Sequence, residues 1–344
     1  MSSREAVSGR MSLAAIVYHQ YSTLPLAVSR STCAGKTYIV TGANIGLGYE
    51  CAKHLITFRS ERVILAVRSK ERGDEALASI EEATGVRGIG QVWIVDLLSY
   101  ASVVDFCARV ERELPRVDGL IENAATALAD WRLFEGMEST LTTNVVSTFL
   151  MAVLLLPHLK ACAARYGTKP VIGIVSSGLA FTREADVVKV DRSRIFDDLN
   201  DPKRWSMNGT ERYSLSKLLE VVVVRELASL LPVDENGVII NLINPGLCST
   251  GLLRHTDAKN KIMVGLLRII IGRSAEWGSR NLLHSLEAGE VSHGKYLSYC
   301  EIREDHVPEW VSNDDGRKFG RKLWAELSAI LDRAKPGCVD RALT

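Results

Sequence analysis

Short apolar runs alternate with longer segments of mixed polarity along most of the chain. Six of these runs are rich in valine and isoleucine and predict strands, namely Lys36–Thr41, Arg62–Val67, Gly90–Asp96, Val117–Asn123, Val171–Ser177 and Val238–Asn244. The segments between them, such as Lys70–Thr84 and Ser99–Leu114, combine charged residues with helix formers, and Ser99 is placed to cap its helix. Strands that are apolar throughout are typical of a parallel sheet with helices on both faces. The pattern predicts an α/β fold built on a doubly wound parallel sheet.

Two predicted helices are apolar almost all the way round, one near residues 136–164 and one near residues 211–230. The second contains four consecutive valines, Val221–Val224, which are poor helix formers, so tertiary packing has to override propensity there. A helix that is apolar on every side is buried. Two alternatives remain open: both helices are buried inside one subunit, or they form the interface of a homodimer or homotetramer.

Composition and charge narrow the class of protein. The chain has 344 residues and a formal net charge of +1, so neither nucleic acid nor an anionic membrane is a predicted partner. Seven cysteines are scattered without a Cys-x2-Cys pair, which predicts free thiols in a reducing compartment and no metal site. The apolar patch at residues 13–17 is too short for a signal peptide, and the apolar run at 262–271 is about half a membrane crossing. We therefore expect a cytoplasmic protein without a transmembrane segment.

A glycine-rich stretch, Thr41–Gly48, follows the first predicted strand directly and predicts a turn that opens a helix. Backbone N–H groups and the positive end of the helix dipole at such a junction attract a phosphate. Gly42 permits the tight turn, Gly46 lets the backbone approach a pyrophosphate, and Gly48 lets the helix pack closely on the sheet. The turn favours a Rossmann-type dinucleotide site, although glycine turns without a ligand also occur.

Tyr213 and Lys217 are four residues apart, so they share one face of the predicted helix. An ammonium group near a phenol stabilises the phenolate and lowers the tyrosine pKa, which suits proton exchange with an alcohol or carbonyl oxygen. The fifth strand ends in Ser176-Ser177, and at most one of these serines points into the site because neighbouring strand residues face opposite ways. Taken alone, a Tyr-x3-Lys pair more often has an ordinary surface or packing role.

Together these features resemble the classical-type short-chain dehydrogenase/reductase family, because the motifs agree in both order and spacing. The motifs that carry the resemblance are the Thr41–Gly48 turn, Asp96-Leu97, Asn123-Ala124-Ala125, Asn144, Ser177, Tyr213-x3-Lys217, and Pro245-Gly246 followed by Thr250. The chain is most similar to the retinol-dehydrogenase-like branch, many of whose fungal members accompany secondary-metabolite pathways. The resemblance implies a single NADP-binding domain over residues 35–300, an N-terminal extension over 1–34 and a C-terminal helical extension over 301–344.

The resemblance also implies a role for each matched residue. Tyr213 would be the general acid/base, and Lys217 would hold the nicotinamide ribose and tune Tyr213. Ser177 would orient the substrate oxygen, and Asn144 would complete a proton relay through water; the alternative for Asn144 is a polar residue that kinks its helix. The other matched residues would contact the cofactor together with Tyr213 and Lys217: Gly42, Asn44, Ile45, Gly46, Leu47, Gly48, Asp96, Leu97, Asn123, Ala124, Pro245, Gly246 and Thr250.

The chain departs from the family pattern at its fourth strand. The family usually has Asn-Asn-Ala-Gly there, and this chain has Glu122-Asn123-Ala124-Ala125. Ala125 adds a methyl group near the cofactor, which would tighten the nicotinamide pocket without abolishing binding. The glutamate leaves Asn123 in place.

The residues after the second strand favour NADP(H) over NAD. An acidic residue there would bind the ribose 2′-hydroxyl and repel a 2′-phosphate. This strand instead runs into Arg68, Ser69 and Lys70. The Arg68 guanidinium can pair with the 2′-phosphate. The alternative is a solvated charge at the end of a strand.

Three further segments bear on the substrate. The stretch 178–212 is longer than the family core requires and predicts an excursion near the active-site mouth. Relatives keep a mobile substrate lid at the place of residues 251–271, and the Leu, Ile and Met content of this segment favours an apolar substrate. A helix packed on the core is the alternative. The tail Asp314–Leu331 predicts an amphipathic helix that closes the fold or the pocket.

We therefore predict an NADP(H)-dependent oxidoreductase that reduces a ketone or aldehyde of an apolar or polycyclic small molecule to an alcohol, or runs the reverse reaction. Two alternatives remain. A sugar-nucleotide epimerase or dehydratase would have a different glycine spacing and a larger C-terminal lobe. A non-catalytic dinucleotide-binding regulator would be expected to lose Tyr213, Lys217 or Ser177, and none is lost.

Overall fold

A computed structural model describes residues 20–128, 130–205, 207–248 and 272–344. These residues form ten strands: β1 (Thr37–Thr41), β2 (Arg62–Val67), β3 (Gly90–Ile94), β4 (Gly119–Glu122), β5 (Leu133–Phe134), β6 (Met137–Glu138), β7 (Val171–Val175), β8 (Ile239–Asn244), β9 (Tyr296–Ser298) and β10 (Glu301–Ile302). All but β5 and β6 belong to one sheet, in the order β3-β2-β1-β4-β7-β8-β9-β10. Neighbouring strands are parallel except β9 and β10. The predicted doubly wound parallel sheet is confirmed.

Helices cover this sheet. In the described ranges they are α1 (Arg30–Cys33), α2 (Gly46–Thr57), α3 (Lys70–Thr84), α4 (Tyr100–Glu113), α5 (Thr148–Tyr166), α6 (Glu184–Val187), α7 (Ile195–Leu199), α8 (Gly209–Leu230), α9 (Val233–Asn236), α10 (Ala275–Glu287), α11 (Asp314–Ala334) and α12 (Cys338–Leu343). A π-helical stretch, Leu141–Ser147, leads directly into α5. Short 3-10 turns span Gly178–Arg183, Glu290–Ser292, Glu304–His306 and Glu309–Val311.

Alternate residues of the central strand β1 enter two separate cores. Ile39 joins the apolar cluster that contains residues of α4, α5 and α8, whereas Tyr38 and Val40 join the cluster that contains residues of α2 and α10. Successive side chains of a strand point to opposite faces, so these clusters lie on the two sides of the sheet. Every residue of β1 is buried, which explains why the strand is apolar throughout.

The strand order reverses between β1 and β4. The chain moves outward from β1 to β3 and then returns to β4 on the other side of β1. In sheets of this class the ligand crevice lies beyond the carboxyl ends of the strands at such a reversal. Thr41 ends β1 and Glu122 ends β4, so the glycine turn and Asn123 emerge at the same edge.

The predicted elements agree closely with the observed ones. All six predicted strands are present, with ends that differ by at most two residues. Helix α3 has the predicted bounds, and the Ser99 side chain caps α4 as expected. Helix α8 begins at Gly209, two residues before its predicted start, with Asn208 and Glu211 forming a capping box.

The helix predicted near residues 136–164 was wrong at its beginning. Gly136 lies in the turn of the β5–β6 hairpin with a φ of +78°, and helical structure begins only at Ser139, just before the π-helical stretch. Glu138 explains the late start, because its carboxylate accepts hydrogen bonds from the backbone N–H groups of Thr140 and Leu141 at 3.0 and 3.4 Å. A side chain that satisfies these N–H groups ends the hairpin and caps the following helix.

Other parts of the same chain cover the two apolar helices. Helix α11 packs along α8 with buried Phe319, Leu323 and Leu327, which confirms that the tail closes the fold. Helix α12 packs on α5, and the Gly178–Arg183 turn packs on α8. In the described ranges, this arrangement favours burial within one subunit over an interface between copies.

One stretch, Leu141–Tyr166, is long and apolar enough to cross a membrane by length and composition. Most of it is buried inside the structure, which is typical of the core helix of a globular domain. The sheet and helices α4, α8 and α12 cover its apolar surface.

Candidate active site

The glycine turn between β1 and α2 has the backbone that its sequence predicts. Gly42 and Gly46 have φ values of +65° and +63°, which residues with side chains rarely adopt. At Gly48, a Cβ atom would lie 2.6 Å from both Asn123 Nδ2 and Gly42 O, so no side chain fits there. Ile45 occupies the N-cap of α2, and its side chain makes no capping hydrogen bond. The first N–H groups of α2 are therefore placed to bind an anion.

Asn123 braces this turn. Its amide nitrogen donates to the carbonyl oxygen of Thr41 at 2.9 Å, and the backbone N–H groups of Asn123 and Ala124 both donate to Thr41 Oγ1 at 2.9 Å. The Thr41 hydroxyl thus ties the end of β1 to the end of β4, a role that the sequence analysis missed. The only signal was a hydroxyl residue directly before the first glycine. Direct contact of Asn123 and Ala124 with a cofactor stays a prediction.

Arg68 is the available cation at the end of β2. Ser69 caps α3 by accepting from the N–H of Arg72 at 3.3 Å, and Lys70 pairs with Asp74 at 2.5 Å. Arg68 is exposed and makes no ion pair or side-chain hydrogen bond with another described residue. Its guanidinium is therefore free to bind an anion from outside the chain.

The predicted adenine-side residues, Asp96 and Leu97, lie in the loop after β3. Asp96 Oδ1 accepts from the backbone N–H of Leu98 at 3.1 Å, so this carboxylate helps to shape the loop. The Leu97 side chain is buried, and its carbonyl oxygen accepts from Ser147 Oγ at 2.6 Å. The loop is thereby tied to the π-helical stretch before α5.

Tyr213 and Lys217 lie on the buried helix α8, as their spacing predicts. Lys217 Nζ is 5.6 Å from the centre of the Tyr213 ring, and both residues are buried. The ammonium donates to the carbonyl oxygen of Val175 at 2.7 Å and to Glu220 Oε1 at 2.7 Å. Val175 ends β7, so Lys217 joins the tyrosine helix to the strand that leads into Ser177.

The two serines after β7 point in different directions. Ser176 is buried, and its hydroxyl donates to the carbonyl oxygen of Lys217 at 3.2 Å. Ser177 is half-buried, and its Oγ accepts from the N–H of Leu179 at 3.2 Å at the start of the Gly178–Arg183 turn. Of the pair, Ser177 is the more exposed, and its contact with a substrate oxygen stays a prediction.

Asn144 lies in the π-helical stretch rather than in a regular helix, fully buried. Its amide nitrogen donates to Thr126 O at 3.0 Å and to Ser216 Oγ at 2.9 Å, and its oxygen accepts from the N–H of Thr126 at 2.9 Å. Ser216 Oγ in turn donates to the carbonyl oxygen of Tyr213 at 2.7 Å. Through these hydrogen bonds the Asn144 side chain is connected to the Tyr213 backbone by Ser216, and it is not connected to Lys217. Its part in a proton relay stays a prediction.

Asn244 is a second residue that sequence reasoning missed. Its Oδ1 accepts from the N–H of Gly178 at 3.3 Å and from the N–H of Gly246 at 3.1 Å, and its amide nitrogen donates to Ser298 Oγ at 3.1 Å. It therefore joins the loop after Ser177 to the Pro245-Gly246 turn and to β9. The signal was an asparagine directly before Pro-Gly at a strand end. Thr250 and the predicted lid at 251–271 lie outside the described residues.

Two glutamates share the buried volume around Lys217. Glu122 lies at the end of β4, fully buried, and neither of its carboxyl oxygens has a hydrogen-bond partner among the described residues. Burial, and then the nearby Glu220 carboxylate, raise the pKa of Glu122 well above its usual range. Burial also raises the pKa of Glu220 to about 7, although Lys217 opposes this shift. Burial thus favours the protonated, neutral form of Glu122.

Replacing Glu122 with glutamine is expected to stabilise the fold, and more so as the pH rises. A raised pKa means that the folded protein keeps a proton that the unfolded chain releases above about pH 4.5, so wild-type stability falls with rising pH. Glutamine does not titrate. We expect the free energy of unfolding of Glu122→Gln to gain on the wild type by up to about 1.4 kcal/mol per pH unit as the pH rises above about 5. Urea melts at several pH values measure this slope.

The exposed carboxylate Glu71 supplies the control for that experiment. Glu71→Gln should differ from the wild type by less than about 1 kcal/mol over the same pH range, because this exposed carboxylate interacts only with the N-terminal end of α3. A Glu122→Gln variant that also runs parallel to the wild type would show that Glu122 is ionised in the folded protein.

The structure thus brings Ser177, Tyr213 and Lys217 to one edge of the sheet, beside the glycine turn and the Pro245-Gly246 turn. Arg68 lies at the end of β2, and β1 separates β2 from β4 in the sheet. No group of three or more His, Cys, Asp and Glu side chains in the part of the chain that is described could hold a metal ion.

Comparison with known proteins gives relatives along nearly the whole chain. The family model described as short chain dehydrogenase matches residues 36–187. Short chain dehydrogenase/reductase dmxR8 from Cryptosporiopsis sp. (strain 8999) is 39% identical over 305 residues, which are 88% of this chain and 93% of the relative. Short-chain dehydrogenase anuD from Penicillium roqueforti (strain FM164) is 35% identical over 337 residues, 97% of this chain and 87% of the relative.

A solved structure shares the fold at lower identity. The short-chain dehydrogenase from Sphingobium yanoikuyae in complex with NADPH superposes with a TM-score of 0.55 and 20% identity, covering 74% of this chain and 84% of its own. A dinucleotide fits the site described above, because Gly42 and Gly46 form the tight turn with positive φ values and the N-cap residue Ile45 gives the first N–H groups of α2 no side-chain acceptor. On these relatives and this site, the chain belongs to the short-chain dehydrogenase/reductase family of nicotinamide-dinucleotide-dependent oxidoreductases.

Proposed function

We propose that the protein is an NADP(H)-dependent carbonyl reductase or alcohol dehydrogenase that interconverts a ketone or aldehyde of an apolar or polycyclic small molecule and the corresponding alcohol. The observation that carries this proposal is the placement of Lys217 Nζ, 5.6 Å from the Tyr213 ring and bonded to Val175 O at the end of the strand that leads to Ser177. A phenol, a neighbouring ammonium and a hydroxyl at one edge suit proton transfer at a carbonyl oxygen.

The three side chains divide the work of proton transfer and binding in this scheme. Tyr213 donates a proton to the substrate oxygen during reduction and takes it back during oxidation, while the Ser177 hydroxyl holds the same oxygen. Lys217 stabilises the phenolate and binds the ribose. The bound nicotinamide cofactor supplies or accepts the hydride. Because α8 is buried on nearly all sides, Tyr213 is held in place before the substrate arrives.

Asn144 would support the same chemistry without touching the substrate. Through Ser216 it fixes the backbone of Tyr213, and a water chain beside it would return the proton that Tyr213 gives up. The glycine turn would hold the pyrophosphate, and Asp96, Leu97, Pro245 and Gly246 would complete the cofactor contacts.

The choice of NADP(H) rests on Arg68. This arginine is exposed and unpaired within the described ranges, whereas Lys70 is engaged by Asp74. No carboxylate stands at the end of β2 to bind a free ribose 2′-hydroxyl. An exposed guanidinium without a partner among the described residues can bind the 2′-phosphate through charge-assisted hydrogen bonds.

We expect Arg68→Ala to weaken NADPH binding by about 1.5–3 kcal/mol, the usual range for hydrogen bonds to charged groups. Affinity for NADH should hardly change because NADH lacks the phosphate. The preference for NADPH should therefore shrink by about one to two orders of magnitude. Calorimetric titration of both cofactors against both proteins measures this change.

Arg72→Ala is the matched control, since Arg72 is an exposed arginine on the first turn of α3. It should leave both affinities as they are. An equal loss for NADPH and NADH in Arg68→Ala would mean that Arg68 supports the adenine or the fold, and the NADP(H) proposal would lose its main support.

The apolar substrate is proposed from two exposed side chains. Ile45, in the glycine turn, and Leu179, two residues after Ser177, are 44% and 43% exposed. Apolar side chains left open near a polar reaction centre suit an apolar ligand with one reactive oxygen. A role in secondary metabolism and a cytoplasmic location complete the proposal; all seven cysteines are free thiols, which suits a reducing compartment.

A panel of aromatic and polycyclic ketones and aldehydes, incubated with NADPH and followed by the loss of NADPH absorbance, tests this function. Turnover of at least one class with a strong preference over small sugars would support it. Tight NADPH binding without turnover of any carbonyl compound would instead point to a dinucleotide-binding regulator.

A further inference from the structure

The Lys217 ammonium is held by a partner that the chemistry above does not use. An ammonium group has three N–H donors. One donates to Val175 O and one to Glu220 Oε1, each at 2.7 Å. The side chains of Lys217 and Glu220 are 3% and 1% exposed, so this ion pair is removed from solvent. One donor is left for the ribose that Lys217 is proposed to bind.

Glu220 lies one helical turn beyond Lys217, and this spacing places the two side chains on one face of α8. A lysine side chain has four rotatable methylene groups, so it does not hold one geometry unaided. Val175 O on β7 and Glu220 on α8 fix the ammonium from two different elements. Removal of the Glu220 carboxylate would leave the ammonium with a single fixed contact.

Glu220 also acts on the charge that Tyr213 meets. Besides Lys217 and Tyr213 on α8, the titratable groups near the cluster among the described residues are Glu122 on β4, Cys107 on α4 next to Glu122, and Tyr296 on β9 next to Tyr213. Burial favours the neutral form of Glu122, as described above. Above about pH 7, where Glu220 is mostly ionised, its carboxylate is therefore the group that offsets the positive charge of Lys217 beside the phenol.

We propose that Glu220 is a positioning residue for the reaction: its carboxylate holds the Lys217 ammonium between α8 and β7 and limits the positive charge that acts on Tyr213. This inference rests on the proposed function only in taking Tyr213 as the group that exchanges a proton with the substrate. The geometry of the pair is a property of the protein itself.

Two variants and two readouts test the proposal, and neither readout needs a substrate. The first readout is the pH at which Tyr213 ionises, taken from the near-ultraviolet tyrosinate absorbance that each protein loses on Tyr213→Phe. The second is the dissociation constant of NADPH from fluorescence titration. Because both are measured without turnover, a failure to find a carbonyl substrate would count against the proposed function and not against Glu220.

Glu220→Gln keeps an oxygen that can accept from the ammonium but removes the negative charge. We expect Tyr213 to ionise about one pH unit lower than in the wild type, because the charge of Lys217 is no longer offset. Glu220→Ala also removes the acceptor, and we expect the dissociation constant of NADPH to rise about tenfold, as a loosened ammonium binds the ribose less well.

Glu226→Gln is the control, since Glu226 is a partly buried carboxylate of the same helix outside the cluster. It should keep the wild-type tyrosine titration. An unchanged titration in Glu220→Gln, or the same shift in Glu226→Gln, would overturn the proposal. Because Glu220→Gln preserves the size and hydrogen bonding of the side chain, it decides the question even if Glu220→Ala does not fold.

Discussion

Tyr213→Phe is expected to lower carbonyl reduction by about 10²–10⁴-fold, the range for loss of a positioned general acid. The substitution removes the phenolic oxygen and leaves the ring, which is 6% exposed and packed in α8. NADPH binding should therefore stay within a few fold of the wild type, since the turn and Arg68 are untouched. Steady-state kinetics on the best ketone of the panel, together with NADPH titration, measure both effects.

Tyr49→Phe is the matched control for this variant. Its hydroxyl also shares a hydrogen bond, with Ser79 Oγ at 3.0 Å. Tyr49 follows the glycine turn in α2, but its hydroxyl is engaged with α3 and not with the residues around Tyr213. We expect wild-type turnover. Comparable activity in Tyr213→Phe would contradict the mechanism, and parallel losses of turnover and cofactor affinity would show that the variant damages the site as a whole.

Most of the sheet could be predicted because its strands are buried on both faces. Burial on both faces leaves a continuous apolar run in the sequence, as in β1, β2 and β8. Strand β9 was not predicted, since three residues are too few to show a pattern. The β5–β6 hairpin was not predicted for the same reason. The helix that follows it was therefore predicted to begin too early, at about Gly136.

The site was predictable where the sequence spacing alone fixes the geometry. Tyr213 and Lys217 are one helical turn apart, so they share a helix face. Ser177 follows a predicted strand, so it lies at the end of that strand. Glu220 could not be assigned in the same way, because a glutamate inside an apolar helix does not reveal which strand or side chain it will face. Its contact with Lys217 depends on how α8 packs against β7.

Contacts between distant segments explain the other omissions. Asn244 binds the N–H group of Gly178, 66 residues earlier in the chain, and Thr41 accepts from Asn123, 82 residues later. Glu122 was visible in the sequence only as a departure from the family pattern. Its lack of a hydrogen-bond partner follows from where β4 ends against α8 and β7, and only the three-dimensional structure shows this.

Lys217→Ala is expected to reduce turnover, NADPH affinity and stability together. The ammonium is assigned both the phenolate and the ribose, so kcat should fall and the Kd of NADPH should rise. Its removal also leaves Glu220 buried without its cation, a change that typically costs about 3–5 kcal/mol. Without Lys217 the pKa of Glu220 rises further above about 7, so the stability deficit should be smallest at low pH, where Glu220 is protonated, and should grow as the pH rises.

Urea melts at about pH 6 and pH 8 measure the loss of stability, and NADPH titration measures the loss of cofactor affinity. Two further variants complete the test. Lys53→Ala removes an ammonium three residues from a glutamate in a pair that is partly exposed to solvent, and should cost about 1 kcal/mol or less at either pH. Lys217→Met combined with Glu220→Gln removes both buried charges and should recover most of the stability without recovering turnover. If that double variant regains activity, the ammonium has no chemical role; if Lys217→Ala melts like the wild type at about pH 8, the buried ion pair is not part of the folded state.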